Sequence, residues 1–219
     1  MSDPHTALSE GLLHGLTALS IDLPATTQAS LLHYLALLAR WNKAYNLTAV
    51  DHPPDMVIKH LLDSLAVLPH LPPGRIVDVG SGAGLPAVPI ALAHRERSVS
   101  ALDSNQKKVR FIQQAILDLG IPNLTAIHGR AEAYQPTEHY NVVIARAFAS
   151  LTDFVTATAG LLATGGCWVA MKGVYPAAEL AALPAVCTLQ EVIPLHVPGL
   201  NAERHLVILQ QAKYDANPR

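Results

Sequence analysis

Residues 77–86 read Val-Asp-Val-Gly-Ser-Gly-Ala-Gly-Leu-Pro, and this stretch decides the fold. A short apolar run leads into three alternating glycines, which is typical of the turn between the first strand and the first helix of an open α/β sheet. Glycines let the backbone turn sharply there and lie against a ligand with no Cβ in the way. The motif therefore predicts a ligand site at the carboxyl end of the first strand.

On the C-terminal side of this motif, short apolar runs alternate with helical stretches. Strands are predicted at residues 75–79, 99–103, 124–128, 142–145 and 167–171. Strand, helix, strand at this spacing predicts a doubly wound α/β domain with a parallel sheet covered on both faces. Residues 186–196 and 205–210 flank a turn that contains Pro and Gly, which predicts an antiparallel hairpin at the sheet edge.

The pattern of apolar residues in the first third of the chain predicts helices. Within residues 27–45, apolar side chains recur at steps of three and four residues, which is the period of a helix with one buried stripe. Residues 56–68 repeat the pattern, and Pro53-Pro54 is a start signal. We expect a helical cap over residues 1–72 and an α/β domain over residues 73–219, together forming one compact unit.

Composition and charge exclude several classes of protein. The 219 residues are 50% hydrophobic and carry a formal net charge of −2, so the chain has no global positive field for polyanions. Any nucleic-acid contact must use a local basic patch. The two cysteines, Cys167 and Cys187, are too few and too distant for a zinc knuckle or a redox pair, so we predict buried thiols and no metal.

Residues 154–171 contain no charged side chain and are about long enough to span a bilayer. The pair Gly165-Gly166 interrupts them, which favours a short helix followed by a strand over a membrane segment. Residues 1–11 also lack the basic and apolar regions of a secretory signal. We therefore expect a cytoplasmic protein with no membrane partner.

The glycine motif favours a nucleoside ligand without phosphates. Its spacing differs from the Gly-x-Gly-x-x-Gly dinucleotide fingerprint, and an acid, Asp78, precedes the first glycine. Asp103 ends the second predicted strand near the offset at which an acid accepts ribose hydroxyls, although it could instead cap the next helix, with Ser104 and Asn105 as competing caps. Together these features favour S-adenosylmethionine over NAD.

Further motifs carry a resemblance to a known family. They are Asp78–Pro86, Asp-Ser-Asn-Gln-Lys-Lys at residues 103–108, Gly-Arg-Ala-Glu at 129–132, Arg-Ala-Phe-Ala at 146–149 and Trp-Asn-Lys-Ala-Tyr-Asn-Leu-Thr at 41–48. In this order, over residues 31–209, they resemble the ribosomal RNA small subunit methyltransferase G family, also called glucose-inhibited division protein B.

The resemblance implies a class I S-adenosylmethionine-dependent methyltransferase fold, which is Rossmann-like, with a mostly parallel seven-stranded sheet and an antiparallel edge hairpin. It implies methylation of N7 of the guanine at position 527, in the 530 loop of bacterial 16S rRNA, with the 30S subunit as partner and S-adenosylhomocysteine as product. We expect the protein to act as a monomer.

The resemblance also implies roles for particular residues. Cofactor contacts are implied for Gly80, Gly82, Gly84, Leu85, Asp103, Ala131, Glu132 and Arg146. Asp103 would hold the ribose, Ala131 and Glu132 would flank the adenine, and Arg146 would be the catalytic residue, beside the methionine portion or the target base. One position departs from the family: Ala87 stands where the family usually has Gly, which puts the strength of cofactor binding in question.

Eight residues are candidates for RNA contact. They are Lys107, Lys108, Arg130, Phe148, Lys172, Arg204, Asn46 and His60. Six of them have a plainer alternative: a solvated helix face for Lys107 and Lys108, an ion pair with Glu132 for Arg130, core packing for Phe148, and a structural hydrogen bond for Asn46 or His60.

Residues that other chemistries need are missing from the expected positions. The fourth predicted strand is followed by Arg146-Ala147-Phe148 instead of the Asn/Asp-Pro-Pro-aromatic motif common in methylation of exocyclic amines, and neither cysteine is placed as a nucleophile for pyrimidine C5. Guanine N7 needs no such group, because its lone pair is unprotonated at neutral pH. Two rivals remain: a methyltransferase of small molecules, and a module that binds cofactor and ribosome without turnover.

Overall fold

A computed structural model describes residues 4–146 and 148–212 and contains a seven-stranded sheet. The strands are β1 (Ile76–Val79), β2 (Val99–Asp103), β3 (Leu124–His128), β4 (Tyr140–Ala145), β5 (Leu162–Lys172), β6 (Cys187–Pro194) and β7 (His205–Gln211). Their spatial order is β3-β2-β1-β4-β5-β7-β6. The first five run parallel, whereas β7 pairs antiparallel with β5 and with β6. The predicted sheet and its antiparallel hairpin are confirmed.

Helices precede the sheet and cover it. They are α1 (Pro4–Ala18), α2 (Ala25–Tyr45), α3 (Pro53–Met56), α4 (Asp63–Leu65), α5 (Ala87–Ala93), α6 (Gln106–Leu119), α7 (Leu151–Thr158) and α8 (Ala177–Ala181). Short 3-10 turns lie at Leu68–His70 and Ala159–Leu161. Asn105 caps α6, and Gly120, at a φ of 56°, ends it as predicted.

The third helical stretch is not a regular α-helix. A π-helical segment, Val57–Leu62, joins α3 to α4, and the Asp63 N–H bonds to the carbonyl of Ile58, five residues earlier. Apolar spacing predicted an uninterrupted helix over residues 56–68. The spacing of apolar residues does not reveal one extra residue in a helical turn. π-Helical segments are often found at functional sites.

Strand β5 begins five residues before the predicted start. Gly165 and Gly166 lie inside the strand instead of dividing it from a helix, so that part of the prediction was wrong. Gly165 has a φ of 76°, and a Cβ on Gly166 would lie 2.8 Å from the carbonyl oxygen of Asn141 on β4. Gly165 therefore allows a left-handed backbone conformation, and Gly166 permits a close approach of β4 and β5. Among the described residues, no helix is long and apolar enough to cross a membrane.

One hydrophobic core joins the N-terminal helices to the sheet. Leu31, Leu35 and Leu38 of α2 belong to the same buried cluster as Phe111 of α6. The hydroxyl of Tyr34, buried among them, donates a 2.6 Å hydrogen bond to the carbonyl of Ala83 in the glycine loop. The helical cap thus contacts the loop directly, while its boundary at residue 72 stays a prediction.

The opposite face of the sheet has its own core. Trp168 of β5 packs with Phe154 and donates its indole N–H to the Thr158 hydroxyl. Both cysteines are buried and free, as predicted, and burial raises the pKa of Cys167 to about 11. A protonated, buried thiol is a poor nucleophile, which argues against covalent catalysis at this residue.

The hydrogen bond between the cap and the loop gives a stability prediction. Tyr34→Phe leaves the Ala83 carbonyl buried without its donor, so we expect the free energy of unfolding to fall by about 1–3 kcal/mol. Tyr45→Phe is the matched control, because Tyr45 lies on the same helix but is 46% exposed. Urea unfolding measures both, and equal stabilities for the two variants would contradict a role for this bond.

Candidate active site

Two carboxylates hold the loop that follows β1. Oδ2 of Asp103, at the end of β2, accepts a 2.8 Å hydrogen bond from the N–H of Gly82. Oδ2 of Asp78, within β1, accepts from the Ser81 hydroxyl at 2.7 Å and from the Ala87 N–H at 3.1 Å. The loop is thereby fixed at both ends by acids on adjacent strands.

The three glycines of the loop have different surroundings. All have positive φ, at 70° for Gly80, 61° for Gly82 and 88° for Gly84. A Cβ on Gly80 would meet no atom within 4 Å, whereas one on Gly84 would lie 2.6 Å from Val88. Gly80 therefore faces open space where a ligand can approach the backbone, and Gly84 allows α5 to pack closely.

Asp78 supports the loop from inside the protein. It is fully buried, and this burial raises the pKa of its carboxyl to about 6. Its second oxygen, Oδ1, has no hydrogen-bond partner within the described residues. Ala87 is also fully buried and packs in the main core, so its methyl group contributes to helix packing.

Asp103 has hydrogen-bonding capacity left for a ligand. Its Oδ1 accepts from the Asn105 N–H at 2.8 Å, but the cap of α6 is Asn105, whose side chain accepts from Lys107. The alternative role of Asp103 as that cap is therefore wrong. Each of its carboxylate oxygens has one hydrogen bond and keeps lone pairs for a ligand.

A cleft of about 180 Å³, here called the cofactor cleft, opens beside these residues. It is lined by Val79, Gly80, Leu102, Asp103, Ser104, Gly129, Arg130, Ala131, Glu132 and Phe148. Gly80, Asp103, Ala131 and Glu132 thus lie together as the sequence suggested. Gly82, Gly84, Leu85 and Arg146 were also expected to contact the cofactor, but they do not line this cleft. An acid beside an open glycine backbone suits the adenosine part of S-adenosylmethionine.

A second cleft of about 580 Å³, here called the cationic cleft, lies at the same edge of the sheet. It is lined by Thr48, Ala49, Val50, Lys59, His60, Asp63, Arg146, Met171, Lys172, Gly173, Leu200, Ala202 and Arg204. Arg146 lines the cationic cleft and Phe148, two residues later, lines the cofactor cleft, so the two clefts are adjacent. The helical cap supplies one wall and the sheet supplies the other.

One buried carboxylate holds two arginines in the cationic cleft. Oδ1 of Asp63 lies 2.7 Å from Nε of Arg204, and its Oδ2 lies 3.6 Å from a guanidinium nitrogen of Arg146. The Asp63 side chain is only 3% exposed, while the two arginine side chains are a quarter to a third exposed. Two guanidinium charges share one negative charge, so this group carries a net positive charge into the cleft.

Ion pairs neutralise the charges of the two lysines of the cleft. Lys59 pairs with Asp55 at 2.8 Å, and Lys172 pairs with Glu179 at 2.8 Å. The same Glu179 oxygen accepts from the Leu151 N–H at the start of α7. The excess positive charge of the cleft therefore belongs to the two arginines.

His60 is a neutral group in this cationic surrounding. Its Nε2 lies 3.0 Å from the Thr48 hydroxyl, and burial, followed by the charge of Arg146, lowers its pKa to about 4. Asn42 holds the segment that carries Thr48, because its side-chain oxygen accepts a hydrogen bond from the Thr48 N–H. At neutral pH His60 is therefore an uncharged, weakly basic hydrogen-bonding group.

The remaining candidates for RNA contact lie outside the cationic cleft. Lys107 and Lys108 line neither cleft, and Arg130 lies 3.8 Å from Glu132 as an exposed ion pair. Phe148 packs on the ring of Phe154, with 5.1 Å between centroids, and also lines the cofactor cleft. Asn46 caps α2 at a φ of 50°.

Sequence reasoning missed three polar or charged side chains of the cationic cleft: Asp63 as its central acid, Thr48 and Lys59. Thr48 lies in a motif that the sequence had singled out, and Asp63 follows His60 by three residues. Neither signal indicates that Asp63 pairs with Arg204, which lies near the other end of the sequence. Among the described residues, no group of three His, Cys, Asp or Glu could hold a metal ion.

The shared carboxylate gives a prediction for activity. Asp63→Asn releases both arginines, so we expect the kcat/KM for the acceptor substrate to fall at least about tenfold, as in Arg146→Ala. Cofactor affinity should be unchanged, because Asp63 lies outside the cofactor cleft. Glu138→Gln is the control: it removes an exposed ion pair, that of Glu138 with Arg75, and neither residue lines either cleft. Calorimetry measures cofactor binding, and steady-state kinetics measure turnover of the acceptor. Normal turnover in Asp63→Asn would contradict a role for the shared carboxylate in positioning the two arginines.

The lowered pKa of His60 gives a prediction about pH. Between pH 4 and 6.5 the unfolded chain binds a proton at this residue and the folded protein does not, so its contribution to stability rises with pH. The raised pKa of Asp78 has the opposite effect: the contribution of this residue to stability falls as the pH rises to about 6. Comparison of the wild type with His60→Gln cancels the Asp78 effect, because both proteins keep that residue.

We expect the stability difference between the wild type and His60→Gln to grow by up to about 3 kcal/mol from pH 4 to pH 6.5. Urea unfolding at several pH values measures it. A difference independent of pH would show that His60 titrates normally in the folded protein.

With this geometry established, comparison with known proteins identifies the family. Residues 27–207 match the family model described as rRNA small subunit methyltransferase G. The chain is 48% identical to ribosomal RNA small subunit methyltransferase G of Chromobacterium violaceum, over 93% of this chain and 96% of that protein. It is 46% identical to the protein of the same name from Nitrosospira multiformis, over 96% and 99%.

Solved structures agree in fold. A SAM-dependent methyltransferase from Aquifex aeolicus has a TM-score of 0.60 at 15% identity, covering 76% of this chain and 97% of that one. A SAM-dependent methyltransferase from Geobacter sulfurreducens, in complex with S-adenosylhomocysteine, has a TM-score of 0.53 at 14% identity, over 81% and 98%. The sheet order, the glycine loop and the match along most of its length show that this chain belongs to the rRNA small subunit methyltransferase G family.

Proposed function

We propose that the protein transfers a methyl group from S-adenosylmethionine to N7 of the guanine at position 527, in the 530 loop of 16S rRNA. The family supports an S-adenosylmethionine-dependent rRNA methyltransferase. The observation that carries the finer proposal is that two clefts open at one sheet edge and are lined by residues only two positions apart, Arg146 and Phe148. The methyl group of a donor in the cofactor cleft would be directed at a base bound in the cationic cleft, in contact with it.

The cofactor cleft would hold the adenosine part of the donor. Asp103 would accept the ribose hydroxyls, and Ala131 and Glu132 would lie beside the adenine, as the family resemblance implies. Gly80 presents backbone with free space around it, which a side chain would reduce. When bound, S-adenosylmethionine supplies a methyl group on a cationic sulfur, so the leaving group needs no protonation.

The cationic cleft favours an acceptor that needs no deprotonation. His60 is a weak base with a pKa of about 4, and the Asp63 carboxylate is engaged by two arginines. Neither is suited to remove a proton from an exocyclic amine at neutral pH. Guanine N7 has an available lone pair, so catalysis there depends on in-line positioning.

The charge of the cleft also suits RNA. Arg146 and Arg204 bring their net positive charge to the mouth of the cleft, where they can bind a phosphate or the O6 edge of guanine. The ring becomes positive as it accepts the methyl group. A neutral His60 adds no further repulsion to that product.

The decisive experiment maps the methylated nucleotide. The purified protein is incubated with labelled S-adenosylmethionine and, in separate reactions, with 30S subunits, naked 16S rRNA and tRNA. We expect label on 16S rRNA, at guanine 527, in a form that borohydride and aniline cleave as 7-methylguanosine. Arg146→Ala serves as the control for contaminating activity, with cofactor binding by calorimetry as evidence that it is folded.

Each alternative result of this experiment would indicate a different function. Label on another nucleotide of 16S rRNA would retain the rRNA methyltransferase and reject the site. Label only on tRNA or on a small molecule would reject the proposal, and cofactor binding without transfer would favour a non-catalytic module. Transfer to RNA should weaken as salt rises, whereas transfer to a neutral small molecule should not.

A further inference from the structure

The loop between β5 and α8 exposes an aromatic side chain beside the cationic cleft. Val174 and Tyr175 are 72% and 53% exposed, and the preceding residues, Lys172 and Gly173, line the cleft. Large exposed apolar groups beside a basic cleft are characteristic of surfaces that bind single-stranded nucleic acid. None of the sequence motifs singled out this loop.

Tyr175 is held in place even though it is exposed. Its ring packs edge-on against His205, with 5.7 Å between centroids and an interplanar angle of 82°. His205 donates from Nδ1 to the carbonyl of Gly173 at 2.8 Å, which ties the loop to β7. His205 also follows Arg204, one of the two arginines on Asp63. The ring is therefore fixed beside Lys172 and Gly173, which line the cationic cleft.

We propose that Tyr175 stacks on an unpaired RNA base next to the nucleotide being methylated. This inference rests on the proposed function. An ordered phenol ring with about half of its surface exposed offers a stacking face at little cost in conformational entropy. The nearby arginines would hold the phosphates on either side of the target. The contact would help to extract the target base from its neighbours, because it replaces the stacking lost there.

The test compares three variants by steady-state methyl transfer to the RNA substrate that accepts label. Tyr175→Ala should raise the KM for RNA about tenfold and change kcat less than twofold, since stacking contributes mainly to binding. Tyr175→Phe should behave like the wild type, because it keeps the ring. Leu117→Ala, which truncates an exposed side chain on α6 outside both clefts, should also be unchanged.

Two further readouts distinguish stacking from other roles. The slope of log KM against log salt should be the same in Tyr175→Ala and the wild type, because no charge contact is lost. Affinity for S-adenosylmethionine should also be unchanged, because Tyr175 lies outside the cofactor cleft. A p-azidophenylalanine placed at position 175 should crosslink to 16S rRNA within a few nucleotides of the methylated one.

The inference is overturned if Tyr175→Ala has a normal KM for RNA, if Tyr175→Phe loses as much as Tyr175→Ala, or if crosslinks form only to ribosomal proteins. In these cases the methyl transfer itself continues and the proposed function stands. If the wild type methylates no RNA, the proposed function and this inference both fail.

Discussion

Buried acids at the ends of two adjacent strands are the constraint on which the site depends. Asp78 and Asp103 accept hydrogen bonds from the loop after β1, and Asp103 at the same time presents its carboxylate to the cofactor cleft. The acid expected to bind the ribose thus also shapes the backbone beside it. A change at Asp103 would alter the loop and the ligand contact together, so measurements on that residue alone cannot separate the two.

The helical cap is part of the active site as well as part of the core. It supplies His60 and Asp63 to the cationic cleft, while Arg146 directly follows β4 and Arg204 directly precedes β7. The cap also contacts the glycine loop through Tyr34. Both clefts therefore depend on how the cap packs on the sheet. A chain with a net charge of −2 obtains its basic surface in this way, by placing two arginines around a single buried acid.

Local patterns predicted the strands better than the site. The bounds of β2 and β3 agree with the β-branched runs, because both strands end at clear turn signals. The start of β5 was missed, since the two glycines that usually break a strand lie inside it here, and Gly166 allows close contact with Asn141. The glycine loop and Asp103 were predictable because they follow consecutive strands. The ion pair of Asp63 with Arg204 joins residues 141 positions apart, so no local pattern could indicate it.

The π-helical segment fixes the angular relation between two stretches of the cap. One extra residue in a turn rotates everything that follows it by about 100° around the helix axis. With Val57–Leu62 wound in this way, Asp63 lies where both guanidiniums can reach it. Shortening the stretch by a single residue would restore a regular helix and turn the acid away from both partners. In related chains, insertions and deletions should therefore be rare within this one turn, even where the helix itself tolerates many substitutions.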